Sequence, residues 1–195
     1  MLQKLRRIFG SMSKAQEILV LLKGAKTVVR QGFYDEELPM VEKFCKDNNL
    51  FLVKSRFKVL LADDTAYSNK GIRIPADDKR SGMYFVYISK DEEKSWLASY
   101  YEMMNNQKDL GLVLGYPSCC VDYFCNNFSA ENPNPELAAK NPWTNISKRE
   151  QDLVLISHFP CAADCQESIG LAQKYYDVIV KEDHNRAEEL LLALE

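Results

Sequence analysis

The sequence predicts an α+β fold: a small antiparallel or mixed sheet packed by helices, followed by a mainly helical, cysteine-rich C-terminal half. Three observations carry this reading. Runs of strand-forming residues, Phe51-Leu52-Val53, Phe57-Lys58-Val59-Leu60-Leu61 and Met83-Tyr84-Phe85-Val86-Tyr87-Ile88, lie in the first hundred residues. Apolar residues recur at helical spacing before, between and after them. Five of the six cysteines and one of the two histidines fall between Gly115 and Cys165. The expected organisation is a tail or docked turn over 1–12 and a single α+β domain over 13–195, with a helix and sheet part at 13–110 and a helical, cysteine-rich part at 111–195.

A chain of 195 residues buries about 70% of its unfolded surface and needs no disulfide scaffold for stability. Its hydrophobic fraction of 46% and charged fraction of 27% are those of a folded, water-soluble protein. A net charge of -3 argues against a chain that wraps nucleic acid, which requires a concentrated basic face. No stretch reaches the roughly 18 apolar residues of a membrane span. The basic start Met1-Leu2-Gln3-Lys4-Leu5-Arg6-Arg7-Ile8-Phe9 lacks the apolar run and cleavage site of a secretory signal. The expected compartment is therefore the cytoplasm, where clustered thiols point to metal or catalysis before structural bridges.

The elements follow in order. Residues 1–10 place Leu2, Leu5, Ile8 and Phe9 opposite Lys4, Arg6 and Arg7, the pattern of a docked terminal turn or of a membrane-surface helix. A helix starts at Ser13, carries Ile18, Leu19, Leu21 and Leu22 on its apolar side, and stops at Gly24. Val28 and Val29 begin a short strand. Asp35 to Asn48-Asn49 is a second helix with Leu38, Val41, Phe44 and Cys45 inward, and Cys45 reads as a small buried hydrophobe. Lys54-Ser55-Arg56 separates the first two strand runs and predicts a hairpin. The polar, Gly- and Pro-containing stretch 63–82 predicts a long exposed loop, a candidate lid or protein-partner surface.

Ser89 with Glu92 forms a capping-box pattern for a helix running through Trp96, Leu97, Tyr100 and Met103. Between Asn126 and Pro142, three prolines and five asparagines predict an irregular crossing with one turn at 136–139. Leu153 to Ile156 reads as a buried strand or as the end of a helix begun at Ser147. Asp164 with Glu167 caps a helix reaching Lys181, and a last helix at about 185–194 turns Leu190, Leu191, Leu192 and Leu194 inward.

The thiol spacing is Cys119-Cys120, four residues, Cys125, thirty-two residues to His158, two to Cys161 and three to Cys165. Two short clusters brought together by folding is how most four-ligand metal sites are assembled. Pro117-Ser118 predicts a helix start that puts Cys119 and Cys120 in a first turn, and Cys165 falls in another. The dipole and the free N–H groups of a helix start stabilise thiolate, the form that binds metal or attacks. Cys125 lies five residues beyond Cys120, about 140° round a helix of about 3.6 residues per turn, and faces elsewhere.

The candidate ligands are therefore Cys119, Cys120, Cys161 and Cys165, with His158 as a fifth member or a substitute. Three chemistries fit. A zinc or iron-sulfur site explains the paired clusters and the single nearby histidine. A redox pair, or a cysteine nucleophile with His158 as base and Asp122 or Asp164 orienting it, uses the same thiols with no cofactor. Inert buried thiols are the third. A bridge within Cys119-Cys120 is disfavoured, because adjacent Cα atoms lie about 3.8 Å apart while disulfides prefer about 4.4 to 6.8 Å. Tyr116, Tyr123, Phe124, Phe128, Trp143 and Phe159 flank the clusters, as walls of the site or as a stacking platform for a ring ligand.

Gly115-Tyr116-Pro117-Ser118-Cys119-Cys120-Val121-Asp122-Tyr123-Phe124, together with His158-Phe159-Pro160-Cys161, Asp164-Cys165 and Ser168, resembles an uncharacterised, largely archaeal family, domain of unknown function 483. The resemblance spans about Gly32 to Tyr176. It implies a cytoplasmic prokaryotic protein and carries no catalytic residue with it.

Overall fold

Runs rich in strand-forming residues and one short edge segment build four strands: β1 (Val28–Phe33), β2 (Phe51–Leu61), β3 (Gly71–Pro75) and β4 (Met83–Ser89). They form one antiparallel sheet in the order β1-β4-β2-β3. The computed structural model describes residues 1–61, 71–129, 131–132 and 141–194. Among these are eight helices, so the fold is α+β with a mainly helical, cysteine-rich C-terminal half. The chain makes two compact units, one from Met1–Lys26 with Tyr116–Glu195 and one from Thr27–Gly115.

The Thr27–Gly115 unit holds the sheet, with α3 (Leu38–Asp47), α4 (Glu92–Met103) and α5 (Gln107–Val113). β4 is its centre, with Val86, Tyr87 and Ile88 buried on both faces. α4 packs on the sheet and brings Glu102 under it. There Arg30 donates from Nε and Nη2 to the Glu102 carboxylate, Tyr87 donates its hydroxyl at 2.9 Å, and the Arg73 Nη2 stands 3.5 Å away. The two guanidinium groups lie over the rings of Phe85 and Phe57, which themselves meet edge to face.

Several expectations are corrected here. Residues 51–61 are one strand, not a hairpin: the polar triplet sits at a register irregularity between Lys54 and Lys58. Ser55 is buried there, accepting from the Phe85 N–H and donating to the Phe57 carbonyl, so its own hydroxyl replaces the ladder bonds the irregularity removes. Within the stretch expected as a loop, Gly71–Pro75 is the edge strand β3, and 62–70 lie outside the described residues. The cap of α4 is Asp91, which accepts from the Lys94 N–H; Ser89 belongs to β4, donating to the Thr27 carbonyl and accepting from the Asp91 N–H.

The other unit comprises α1 (Leu2–Phe9), α2 (Met12–Leu22), α6 (Ser118–Asn127), α7 (Gln166–Glu182) and α8 (His184–Leu194), with single 3-10 turns at Pro142–Thr144 and Arg149–Gln151. α1 buries Leu2, Leu5 and Phe9 as it packs on α2, so its apolar side is consumed within the protein while Lys4, Arg6 and Arg7 face water. α2 ends at Gly24, whose φ of +74° is the left-handed conformation that glycine adopts without strain. Asp152 caps the other end across the fold, accepting from the Met12 N–H at 2.9 Å and the Ser13 N–H at 3.2 Å.

Val154, Leu155 and Ile156 are buried in irregular backbone, neither strand nor helix, held in part by a bond from Gln16 Nε2 to the Val154 carbonyl. α7 is capped by Cys165 itself and not by Asp164, and α6 starts one residue earlier than expected, with Pro117 in the cap position. On α8, Ala187 and Leu190 are buried while Leu191 and Leu192 are exposed; the Leu194 side chain and the turn at 136–139 lie outside the described part. Among the described residues, no helix is long and apolar enough to cross a membrane.

Candidate metal centre

Two helix starts converge on the thiols. Gly115, at φ +80°, turns the chain where few other residues would fit, and Pro117 then fixes the entry into α6. With no N–H of its own to satisfy, Pro117 accepts from the N–H groups of Cys120 and Val121 through its carbonyl at 3.0 and 2.9 Å. Cys119 and Cys120 are thereby set in the first turn of α6. The second cluster is a tight turn in which the Cys165 N–H bonds the Ala162 carbonyl, and Cys165 caps α7. Thr144 holds this turn from outside by donating its hydroxyl to the Ala163 carbonyl at 2.6 Å.

The sulfurs of Cys119, Cys120, Cys161 and Cys165 all lie within 4.8 Å of one another. Three of them form a nearly regular triangle: Cys119 to Cys120 3.8 Å, Cys119 to Cys165 3.7 Å and Cys120 to Cys165 3.7 Å. All four are unbridged, and together they could hold a metal ion. Cys125 is a half-buried free thiol outside the group, and Cys45 is buried on α3 in the sheet unit, where burial and then Glu42 push its thiol up to about 12.

His158 stands one step behind the sulfurs. Its Nε2 lies 2.8 Å from the Ser168 hydroxyl, which lies 3.1 Å from the Cys120 sulfur. The histidine thus reaches the thiols through Ser168. Three residues beyond Cys165 on α7, Ser168 shares its face of the helix, the signal by which the sequence points to it.

A family model described as "Protein of unknown function (DUF483)" matches residues 92–194, more than half of the chain. The chain belongs to the DUF483 family. The match takes in both cysteine clusters and Ser168 and begins after β4. No curated protein and no solved structure matches this chain.

In this DUF483 chain the surroundings set how the thiols ionise. Burial disfavours the thiolate at Cys165, yet the Ser168 hydroxyl and N–H, with Cys161 and Cys120, bring its pKa down to about 7. Burial, then hydrogen bonds with Cys165 and Cys119, pushes Cys161 up to about 11, and burial pushes Cys120 higher still. Without a cation Cys165 ionises near neutrality while Cys120 and Cys161 keep their protons. A divalent cation would lower all of them together, because its charge stabilises every thiolate at once, and binding would release protons.

His158 is 5% exposed, and burial, then the charge of Lys26, pulls its pKa down to about 3. It is neutral at pH 7. Once a cation makes Cys120 a thiolate it can only accept, so Ser168 would then donate to it and the His158 Nε2–H to Ser168. That would leave Nδ1 as a bare, buried acceptor with no partner among the described residues. Lys26 is buried as well, donating to Glu17 at 2.6 Å and Ser157 at 3.0 Å, with Tyr116 and Tyr175 beneath its ammonium. Nothing in the local pattern Ala25-Lys26-Thr27 marks this lysine as buried.

Several of the flanking aromatic residues pack on one another. Phe128, Phe124 and Phe159 stack in a row with centroids 4.8 and 5.5 Å apart, and Arg149 covers the Phe159 end. They stack on one another, with Tyr116 against the His158 ring at 5.2 Å.

Removing the bridging hydroxyl is the direct test of this shell. Ser168→Ala is expected to cost about 1 to 3 kcal/mol in denaturant unfolding, because it leaves His158 Nε2 and Cys120 without their shared partner in a buried site. An unchanged unfolding midpoint would show that the bridge carries no stability.

Proposed function

We propose that the chain binds one zinc ion through Cys119, Cys120, Cys161 and Cys165, and that the ion holds the segment between α6 and α7 in place. The observation that carries this reading is the sulfur spacing. A tetrahedral zinc ion with Zn–S bonds of about 2.3 Å needs its sulfurs about 3.8 Å apart. The three sulfurs of Cys119, Cys120 and Cys165 stand at 3.7 to 3.8 Å. In a four-iron cluster each iron takes one cysteine, which spreads the ligands round several metal atoms, so so tight a set favours a single ion.

The setting supports the same reading. Two helix starts point at the sulfurs and favour their charged form. The Cys161 N–H lies 3.4 Å from the Cys120 sulfur and Ser168 bonds it from the other side, the outer hydrogen bonds that orient metal ligands. Between α6 and α7 the described residues form only two single 3-10 turns. A segment with so little regular hydrogen bonding gains most from an ion that ties its two ends together.

Elemental analysis and a visible spectrum on untagged protein purified without oxygen test the proposal. The expected result is about one zinc per chain and no colour. Iron with sulfide and a brown colour would replace zinc with a cluster, and a chain free of metal with four titratable cluster thiols would overturn metal binding altogether.

A further inference from the structure

The four sulfurs differ in what reaches them. Cys120 is 1% exposed and accepts from the Ser168 hydroxyl and the Cys161 N–H. Cys165, 8% exposed, accepts from the Ser168 N–H. Cys161 is half-buried. Cys119 is exposed, and among the described residues its sulfur meets only the other sulfurs of the group.

Hydrogen bonds from N–H and O–H groups draw electron density off a thiolate and stabilise it against donating its lone pair. Around a divalent cation, four thiolates leave a net charge of -2, and two helix ends of about +0.5 each offset only half of it. Among the described residues the Cys161 sulfur, like that of Cys119, meets only other sulfurs of the group, so exposure decides between them: Cys161 is half-buried and Cys119 is open to water, and any reaction there also relieves the excess negative charge.

Resting on the zinc reading, we propose that Cys119 is a nucleophile that accepts alkyl groups from small, unhindered carbon electrophiles, while Cys120, Cys161 and Cys165 keep the metal. In that step the Cys119 sulfur forms an S–C bond as the carbon's bond to its leaving group breaks. The bonding pair departs with the leaving group as an anion such as a halide or sulfonate. The thiolate becomes a thioether, and no proton or external electron is needed. The exposed position suits an electrophile that meets the sulfur from solvent.

Limiting iodoacetamide on the zinc-loaded full chain, with peptide mapping of each cysteine and a chromogenic chelator reporting released zinc, tests this. Cys119 is expected to be labelled about tenfold or more faster than Cys120, Cys161 and Cys165 while zinc stays on the protein. Ser168→Ala is expected to narrow the gap by raising the rate at Cys120. Labelling of all four together, in step with zinc release, or an inert Cys119 in zinc-replete protein, would overturn the inference and leave the zinc reading standing as a closed structural site. Absence of zinc from the untreated protein would overturn the zinc reading first, and this inference with it.

Discussion

Cys120→Ser is expected to lose bound metal and to melt about 10 °C below the parent. Serine has nearly the size of cysteine, so little cavity opens, but its hydroxyl keeps its proton near neutral pH and makes a poor zinc ligand. Three thiolates then remain where four stood, at a position 1% exposed where no water can readily replace the fourth. Metal binding in such sites is coupled to folding. A loss of about 3 kcal/mol or more corresponds to roughly 10 °C at the 2 to 4 °C per kcal/mol typical of chains this size. Calorimetry with metal analysis checks it, and chelator sharpens the test: it should lower the parent to the variant's Tm and move the variant little further. Cys125→Ser, outside the group, should retain metal. If Cys120→Ser kept both its metal and its Tm, the ligand set would be wrong.

Glu102→Ala is expected to destabilise the sheet unit by about 3 kcal/mol, through a different mechanism. The Glu102 side chain is 5% exposed and is held by Arg30, Tyr87 and Arg73. Breaking a buried ion pair from one side typically costs about 3 to 5 kcal/mol, and the low end applies because the Arg30 side chain, 31% exposed, can turn partly to water. The same carboxylate predicts a pH dependence. Burial alone would raise its pKa, but Arg30, then Tyr87 and Arg73, outweigh it and hold the group below its ordinary value of 4.5. The unfolded chain therefore takes up this proton first as pH falls. The stability Glu102 adds is complete above about pH 4.5 and is lost as pH drops through the lower folded value. Urea midpoints measured downward from neutral pH should fall in the parent, and Glu102→Gln should lack that part of the fall. Parallel profiles would mean that this carboxylate titrates alike in both states.

Both helix starts at the thiols were legible to within a residue: Pro117-Ser118 marks α6, and Asp164 with Glu167 points to the start of α7, whose cap is the next residue, Cys165. What was not legible is what long-range contacts decide. Lys54-Ser55-Arg56 has a turn's composition, yet Ser55 is bonded to the Phe85 N–H on another strand, a partner no local pattern names. Gly71–Pro75 is short, with exposed Ile72 and Arg73, and such an edge strand carries too little apolar alternation to stand out from a loop. The cap fell to Asp91 because β4 runs on through Ser89, whose hydroxyl donates to the Thr27 carbonyl and accepts from the Asp91 N–H ahead of the helix. His158 stood among the candidate ligands, and only the position of Ser168 on α7 places it one step behind the sulfurs.

The make-up of the unit that contains the thiols governs its birth on the ribosome. Its first piece, Met1–Lys26, is synthesised well before its second, which begins at Tyr116. At about 5 to 20 residues per second, Leu2, Leu5, Phe9, Ile18 and Leu19 wait on the order of ten seconds before the segments that complete their unit emerge. The sheet unit, contiguous in sequence, can fold during that interval. The nascent chain must shield those apolar side chains with little more than the α1–α2 pair until then. The four sulfurs can meet only once Cys165, 46 residues beyond Cys119, has been made, with α7 and α8 still to follow. On the zinc reading, metal capture follows the synthesis of Cys165, and chains made faster than zinc is supplied would accumulate with their cluster thiols unclaimed.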